Sequence, residues 1–407
     1  MTVPAAADEP LDWRFKGVPV QWWGRRAAEI VAERPRWSDD EAPGPVCLLR
    51  AEALTHNLAT MAAWCRDRGV DLAPHGKTHM APQLAARQLA AGACAITVAT
   101  VAQAAVYRAF GVATLVLAGE LVDRAGLAWV GAELDAHPDL GFTSWVDSVR
   151  GVELMTAGLA GTSRPLDVCV EVGIPGGRSG CRSRDDVDAV ARAVAASPRL
   201  RLAGVAGYEA AVGQTLTPQA HDVVADHLRL LRETAIGLAP LVQTESMMVS
   251  AGGSTYFDAV ADALTGWPGD LPVRTVLRSG CYLTHDHGIY ARTSPLTRDG
   301  ADGLRPAFEV RAPVVSRPEP ELAVVAMGRR DVGFDQGLPV PLDLPGSALT
   351  TLYDQHANLR LGGRDAAEVG QWLRFGISHP CTVFDKWRLI PVLDAEDRVV
   401  DLIRTYF

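Results

Sequence analysis

The segment DLAPHGKTHMAP sets one lysine, Lys77, between two histidines, His75 and His79, just past an apolar run. A lysine taken out of water loses part of its preference for the charged form, because desolvation disfavours the ammonium. A neutral amine can form a Schiff base with a carbonyl, the aldehyde of pyridoxal phosphate included. His75 and His79 would then modulate its protonation or touch the bound group. The same residues also suit a surface loop carrying one lysine and two solvated histidines. Support has to come from elsewhere in the chain.

A phosphate dianion needs several N–H donors, which Gly-rich turns supply. Two such turns stand late in the first two thirds of the chain. SAGGSTYF offers Gly252, Gly253 and Ser254, and RSGCYL offers Gly280 and Cys281. Upstream, EVGIPGGRSG places Arg178 in a Gly-rich loop, and GYEA offers Tyr208 and Glu209. An arginine near a cofactor's ring oxygen, or a tyrosine near its ring nitrogen, would tune its strength as an electron sink. For Arg178 or Glu209 a loop salt bridge is the plain alternative.

Near the end, GISHPCTVFDKW presents His379 and Cys381 two residues apart. On a β-strand such residues share a face, so the pair would grip one cation from one side. Imidazole plus thiolate favours zinc over magnesium or calcium. A structural zinc site needs four protein ligands, and two leave room for water or substrate. The plainer reading of these residues alone is a core cysteine beside a turn histidine.

These groups need a scaffold that gathers them. Strand-like runs begin near Val70, Ala93, Thr114, Gly141, Asp167, Leu202, Met247 and Val273, separated by Ala/Leu/Arg-rich stretches with helical spacing. Eight βα alternations predict an α/β fold with a (β/α)8 barrel; a doubly wound open sheet is the structural rival. The lysine would sit at the end of the first strand and the two phosphate turns after the seventh and eighth, where barrels bind phosphate. After residue 290 the texture becomes β-rich, with Pro/Gly turns. The expected division is a segment 1–45 packing with the β domain, a barrel over 46–290 and a β-rich domain over 291–407. The run PVCLLR near Val46 precedes the first barrel strand and is expected to join the β domain. The Pro/Ala/acidic opening is expected to be poorly ordered.

At 407 residues the chain suits two domains. The formal net charge of −9 argues against non-specific nucleic-acid binding. No apolar run approaches the roughly 20 residues that cross a bilayer, and the opening lacks a signal-peptide pattern, so cytoplasmic residence is expected. Seven cysteines without a CxxC pair give no sign of a disulfide framework.

The segments PHGKTHMAPQLAARQLAAGACAITVAT, EVGIPGGRSG, GYEA, AGGST and SHPC together resemble the fold-type III pyridoxal-phosphate enzymes. The nearest group is the D-serine dehydratase/D-threonine aldolase branch, related more distantly to alanine racemase. The resemblance spans roughly residues 45 to 390. It implies an alanine-racemase-type TIM barrel with a β-rich carboxy-terminal domain, working as a homodimer. It implies Lys77 as the Schiff-base lysine and catalytic base, and Arg178 beside the cofactor's phenolic oxygen. Tyr208 becomes an aromatic contact, with Gly252, Gly253, Ser254, Gly280 and Cys281 around the phosphate. His-x-Cys marks zinc-dependent dehydratases in this branch, so His379 and Cys381 become ligands of Zn2+, with Mn2+ as an alternative. His75, His79 or His356 would relay protons. The family's Glu-Glu-His-Gly stretch is only DQHAN here, which puts substrate identity in doubt. The implied reaction is dehydration of a 3-hydroxy D-amino acid, such as D-serine or D-threonine, to a 2-keto acid and ammonia. Retro-aldol cleavage to glycine and an aldehyde is the alternative. Racemisation and a non-catalytic pyridoxal-phosphate-binding protein stand further off.

Overall fold

The computed structural model describes residues 9–269, 271–298 and 303–407. The first eight residues, where the opening segment was expected to be poorly ordered, lie outside the described residues. The chain forms two compact units. One comprises Met1–Met61, Thr78–Arg87 and Cys281–Phe407, the other Ala62–Lys77 and Gln88–Gly280. The chain therefore changes unit four times, after Met61, Lys77, Arg87 and Gly280.

In the first unit, strand β1 (Val46–Arg50) lies inside a sheet whose other members come from the end of the chain. It runs antiparallel to β10 (Phe308–Glu319) and parallel to β16 (Leu389–Leu393). Beyond β10 come β11 (Leu322–Val325), β12 (Val340–Pro341), β13 (Ala348–Leu352), β14 (Ala357–Arg360) and β15 (Trp372–Gly376). After β16 the sheet ends with β17 (Val399–Arg404). Leu11, Phe15, Val18, Trp22, Ile30 and Trp37 pack against Val46, Leu48, Leu389 and Leu402 of this sheet. The amino-terminal segment is thus the apolar cover of one sheet face.

The second unit is a parallel ring of eight short strands: β2 (Asp71–Leu72), β3 (Ile96–Val98), β4 (Thr114–Glu120), β5 (Gly141–Val146), β6 (Leu166–Val172), β7 (Leu200–Gly207), β8 (Met247–Ser250) and β9 (Val273–Leu277). They pair in the order β2-β9-β8-β7-β6-β5-β4-β3. The ring closes where His75 bridges Thr97, with Cys94 N–H donating to Leu72 O at 2.8 Å. The strand starts fall within three residues of those read from the apolar runs. Five connecting helices start on a side chain that accepts an amide hydrogen bond from the first turn: Thr100, Asp123, Ser148, Ser183 and Thr217. Such caps fix where each helix begins.

The ring's interior is small residues around one large one. Ala73, Ala95, Val116, Cys169, Ala203, Ala206 and Val276 surround Trp145, which is 1% exposed. Higher on the same wall, Glu120 and Glu171 share a hydrogen bond. Burial, and then that bond, push Glu120 up to about 8.

Replacing Trp145 by Ala removes the plug from a wall of alanines that cannot fill the space. The expected loss is about 3–5 kcal/mol, read from urea unfolding. The Glu120 proton is held more tightly in the folded chain, between its ordinary 4.5 and about 8. Stability should therefore fall as pH rises through that window. Glu120→Gln should flatten the profile measured between pH 5 and pH 9; an unchanged slope refutes the assignment.

Candidate active site

Lys77 sits in a single 3-10 turn, Gly76–Thr78, directly after β2. Tyr107 pins the turn by donating its hydroxyl to Gly76 O at 2.7 Å. A Cβ at residue 76 would lie 2.6 Å from that ring, so only glycine lets the tyrosine approach. The chain contains three lysines, Lys16, Lys77 and Lys386. Lys16 binds Asp331 at 2.7 Å, and Lys386 binds Asp385 at 3.2 Å. This scarcity was a signal in the sequence that the motif reading overlooked.

His75, two residues earlier, keeps its Nδ1 sealed from solvent without a hydrogen-bond partner. Burial, then the nearby charges of Lys77 and Arg278, hold it well below the usual histidine range. It is a neutral imidazole that resists protonation. His79 is buried, and its Nδ1 accepts the amide of Ala81 at 3.0 Å. That bond gives it a structural task.

The loops after β8 and β9 are stitched to each other. Arg278 N–H donates to Gly252 O at 3.0 Å, and Ser279 Oγ donates to Gly253 O at 2.9 Å. Gly252 has φ +97°, and a Cβ there would meet Leu277 at 2.6 Å. The amides of Gly252 and Gly253 donate to the buried carboxylate of Glu209 at 2.9 and 2.7 Å. Glu209 thus takes two donors that the motif reading assigned to a phosphate. Ser254 is partly exposed in the same loop, and Gly280 is buried at the end of the next.

Arg278 was not singled out from the sequence, yet it is the buried cation of this rim. It donates to Ser250 Oγ at 2.6 Å and to Gly207 O at 2.7 Å. Burial lowers its hold on the proton, and Glu209 and Glu171 oppose that effect. Arg178 is exposed, with its guanidinium 4.8 Å from the centre of the Tyr208 ring. That stacking joins the two residues expected to flank a cofactor ring.

The metal pair needs a correction. His379 and Cys381 do not lie on a strand: β15 ends at Gly376, and Cys381–Phe384 is a helical turn. Pro380 adopts φ −62° and ψ −41°, so the chain coils where an extended pair was expected. The coil still brings both side chains together, and adds a third. The ligand atoms of Cys281, His379 and Cys381 all lie within 4.8 Å of one another. Cys281, grouped by sequence with the phosphate turns, points its thiol at Cys381, Sγ to Sγ 3.5 Å. Backbone bonds hold the two segments in place: His287 N–H donates to Ile377 O at 3.0 Å, and Ile289 N–H to Ser378 O at 3.1 Å. Gly288 is required there, since a Cβ would lie 2.5 Å from Ser378 Cα.

Around the group, His379 Nδ1 pairs with Asp335 Oδ2 at 2.7 Å, and Thr382 Oγ1 donates to Asp335 Oδ1 at 2.6 Å. Thr78 Oγ1, one residue after Lys77, lies 3.4 Å from Cys381 Sγ. The bond with Cys281, and then His379, hold Cys381 well below the usual thiol range. Its partner Cys281 is pushed up by the same bond and by burial. Burial alone would lower His379, but Cys381 and Asp335 raise it to about 9. An imidazole, a ready thiolate and a second sulfur form a donor set that suits zinc. Asp335 had no local motif to mark it. His356 lies exposed at the turn between β13 and β14, where its carbonyl accepts the amide of Tyr353 at 2.8 Å. The sulfur–imidazole group does not include it.

Comparison with known proteins agrees with this architecture. The family model "Alanine racemase, N-terminal domain" matches residues 49–286. A second model, "Putative serine dehydratase domain", matches residues 307–393. A D-threonine aldolase from an Arthrobacter species is 28% identical over 350 residues, 84% of this chain and 86% of its own. A D-threo-3-hydroxyaspartate dehydratase from Delftia sp. (strain HT23) is 27% identical over 257 residues, 60% of this chain and 61% of its own. Among solved structures, D-threonine aldolase from Filomicrobium marinum superposes with a TM-score of 0.78 at 25% identity, covering 90% of this chain and 95% of that one. With its lysine-bearing barrel and its serine dehydratase-type tail, the chain belongs to the alanine racemase N-terminal-domain family, within the fold-type III pyridoxal-phosphate enzymes.

Proposed function

We propose that this chain is a pyridoxal-phosphate-dependent lyase of 3-hydroxy D-amino acids, and that its reaction is dehydration to a 2-keto acid and ammonia. The observation that carries the reading is the sulfur–imidazole group of Cys281, His379 and Cys381, a donor set for zinc. The named relatives support the substrate class, since one cleaves and one dehydrates a 3-hydroxy D-amino acid by name.

The residues present fit the cofactor. Lys77 would carry its aldehyde, and Ser254, Gly280 and the amide of Cys281 would meet its phosphate. Arg178 and Tyr208 would flank its ring, and the orphaned Nδ1 of His75 would face the same rim. When bound, pyridoxal phosphate supplies a sink for the charge left at the substrate's α carbon. A zinc ion on His379 and Cys381 would supply a Lewis acid for the β-hydroxyl, which is otherwise a poor leaving group. Lys77 Nζ takes the α-proton. Neutral His75, two residues away, adds no positive charge beside that amine. Asp335 holds the His379 ring through Nδ1, leaving Nε2 for the metal. The released enamine takes up water, so that water lost at the β carbon is matched by water consumed in freeing ammonia.

Retro-aldol cleavage stays as the second reading because an aldolase is among the relatives. Products separate the two. D-serine, D-threonine or D-threo-3-hydroxyaspartate should yield keto acid and ammonia in equal amounts. Glycine plus aldehyde would overturn dehydration and leave the lyase reading standing. Lys77→Ala should lower turnover on the order of 10²–10⁴-fold. Borohydride should label only the peptide carrying residue 77, and a label at Lys16 or Lys386 refutes the anchor. Asp335→Asn should weaken zinc binding about 10–100-fold in chelator competition. An unchanged affinity would remove Asp335 from the site.

A further inference from the structure

We propose that Cys281 is a third protein ligand, making the metal centre of this chain a two-sulfur, one-imidazole site with a single open position, selective for zinc over manganese. The inference rests on the reading that His379 and Cys381 hold a metal.

The separation of the two sulfurs is close to one edge of a tetrahedral zinc site. With Zn–S near 2.3 Å and Zn–N near 2.0–2.1 Å, tetrahedral zinc sets sulfur–sulfur edges of about 3.8 Å and sulfur–nitrogen edges of about 3.6 Å. Cys281 Sγ and Cys381 Sγ stand 3.5 Å apart, and all three ligand atoms fall within 4.8 Å of one another. A disulfide would need about 2.0 Å. Both thiols belong to turns tied together through the backbone at Ile377 and Ser378, so their approach is imposed by the fold.

The plain alternative is a core cysteine. Cys281 is 4% exposed and touches Ile289 and Tyr290, as a packed thiol would. Packing alone, however, gives no reason for a second thiol and an imidazole to converge on it. Nor does it explain why the His379 ring bonds both Asp335, through Nδ1, and Cys381. That carboxylate–imidazole arrangement orients a metal-binding ring.

Two thiolates and a neutral imidazole cancel the charge of a divalent zinc ion. Two neutral hydroxyls stand nearby: Thr78 Oγ1, 3.4 Å from Cys381 and 4.0 Å from Cys281, and the phenol of Tyr290, hydrogen-bonded to Cys281. Neutral hydroxyls are poor ligands beside thiolates, so one position stays open for the substrate's hydroxyl. Three protein ligands with one open position is the pattern of catalytic zinc. Soft donors also set the metal: zinc or cobalt binds, and manganese, which prefers oxygen, is disfavoured.

The test compares the full-length holoenzyme with Cys281→Ser and Cys281→Ala, each loaded with Co2+ and measured as a difference spectrum against its metal-free form. Thiolate-to-cobalt charge transfer scales with the number of bound sulfurs. The unmodified enzyme should show about twice the band of either variant. Zinc affinity by chelator competition should fall further in the variants than the roughly 10–100-fold caused by losing an outer partner. The preference for zinc over manganese should shrink with it. Far-UV circular dichroism and the melting temperature of the metal-free forms identify a variant that fails to fold, and the second substitution then carries the comparison. Full band intensity and full zinc affinity in a folded variant would overturn the proposal and leave Cys281 as a core residue. Failure of the unmodified enzyme to take up cobalt or zinc would instead overturn the metal reading of His379 and Cys381, and this inference with it.

Discussion

One buried guanidinium organises the rim of the barrel. Arg278 reaches Gly207 at the end of β7 and Ser250 at the end of β8 from its own place after β9, so a single side chain ties three strand ends. A charge taken from water is tolerated only when it is paired and fully hydrogen-bonded. Glu209 and Glu171 supply the opposite charge. Glu209 in turn is held by the amides of Gly252 and Gly253. The shape of the glycine loops therefore follows from the need to compensate Arg278. Only glycine at 252 permits that shape.

The same logic explains why the carboxylates of this rim differ in character. Glu209 accepts two amide donors and lies by the arginine. Glu120 instead faces another carboxylate in a place with little water, and keeps its proton to higher pH. A single rim thus carries a compensated cation, an amide-bonded carboxylate and a proton-holding carboxyl within one ring of strands. An enzyme that moves protons at a bound amino acid needs such contrast, because each group must keep one protonation state while its neighbour changes.

Much of the fold was legible in the sequence because it is built from local signals. Apolar runs with short period mark the strands, and Thr100, Asp123, Ser148, Ser183 and Thr217 mark the helix starts. Lys77 was singled out because its histidine-flanked segment is compact. The rest depends on contacts far apart in the chain. Cys281 meets Cys381 one hundred residues later, and Asp335 meets His379 across 44. Arg278 reads as an ordinary loop arginine until burial shows what it bridges. The extended reading of His379 and Cys381 failed for a local reason, since Pro380 starts a helical turn. Their convergence survived because it depends on the turn's position rather than on a strand's pleat.

The places where the chain changes unit carry a consequence for how such an enzyme can be altered. Two of the four crossings are the peptide bonds from Lys77 to Thr78 and from Gly280 to Cys281, and the other two fall inside helices, after Met61 and after Arg87. The first of these bonds ends on Thr78, a neighbour of the sulfur–imidazole group, and the second on Cys281, one of its members. There is no linker at either seam, so a single inserted residue would shift one set of groups by about 3.8 Å along the chain. Modular exchange, in which a barrel is paired with a foreign tail, is ordinarily made at flexible joints. Here two seams cut through helices and two abut the sulfur–imidazole group, so none of them offers such a joint.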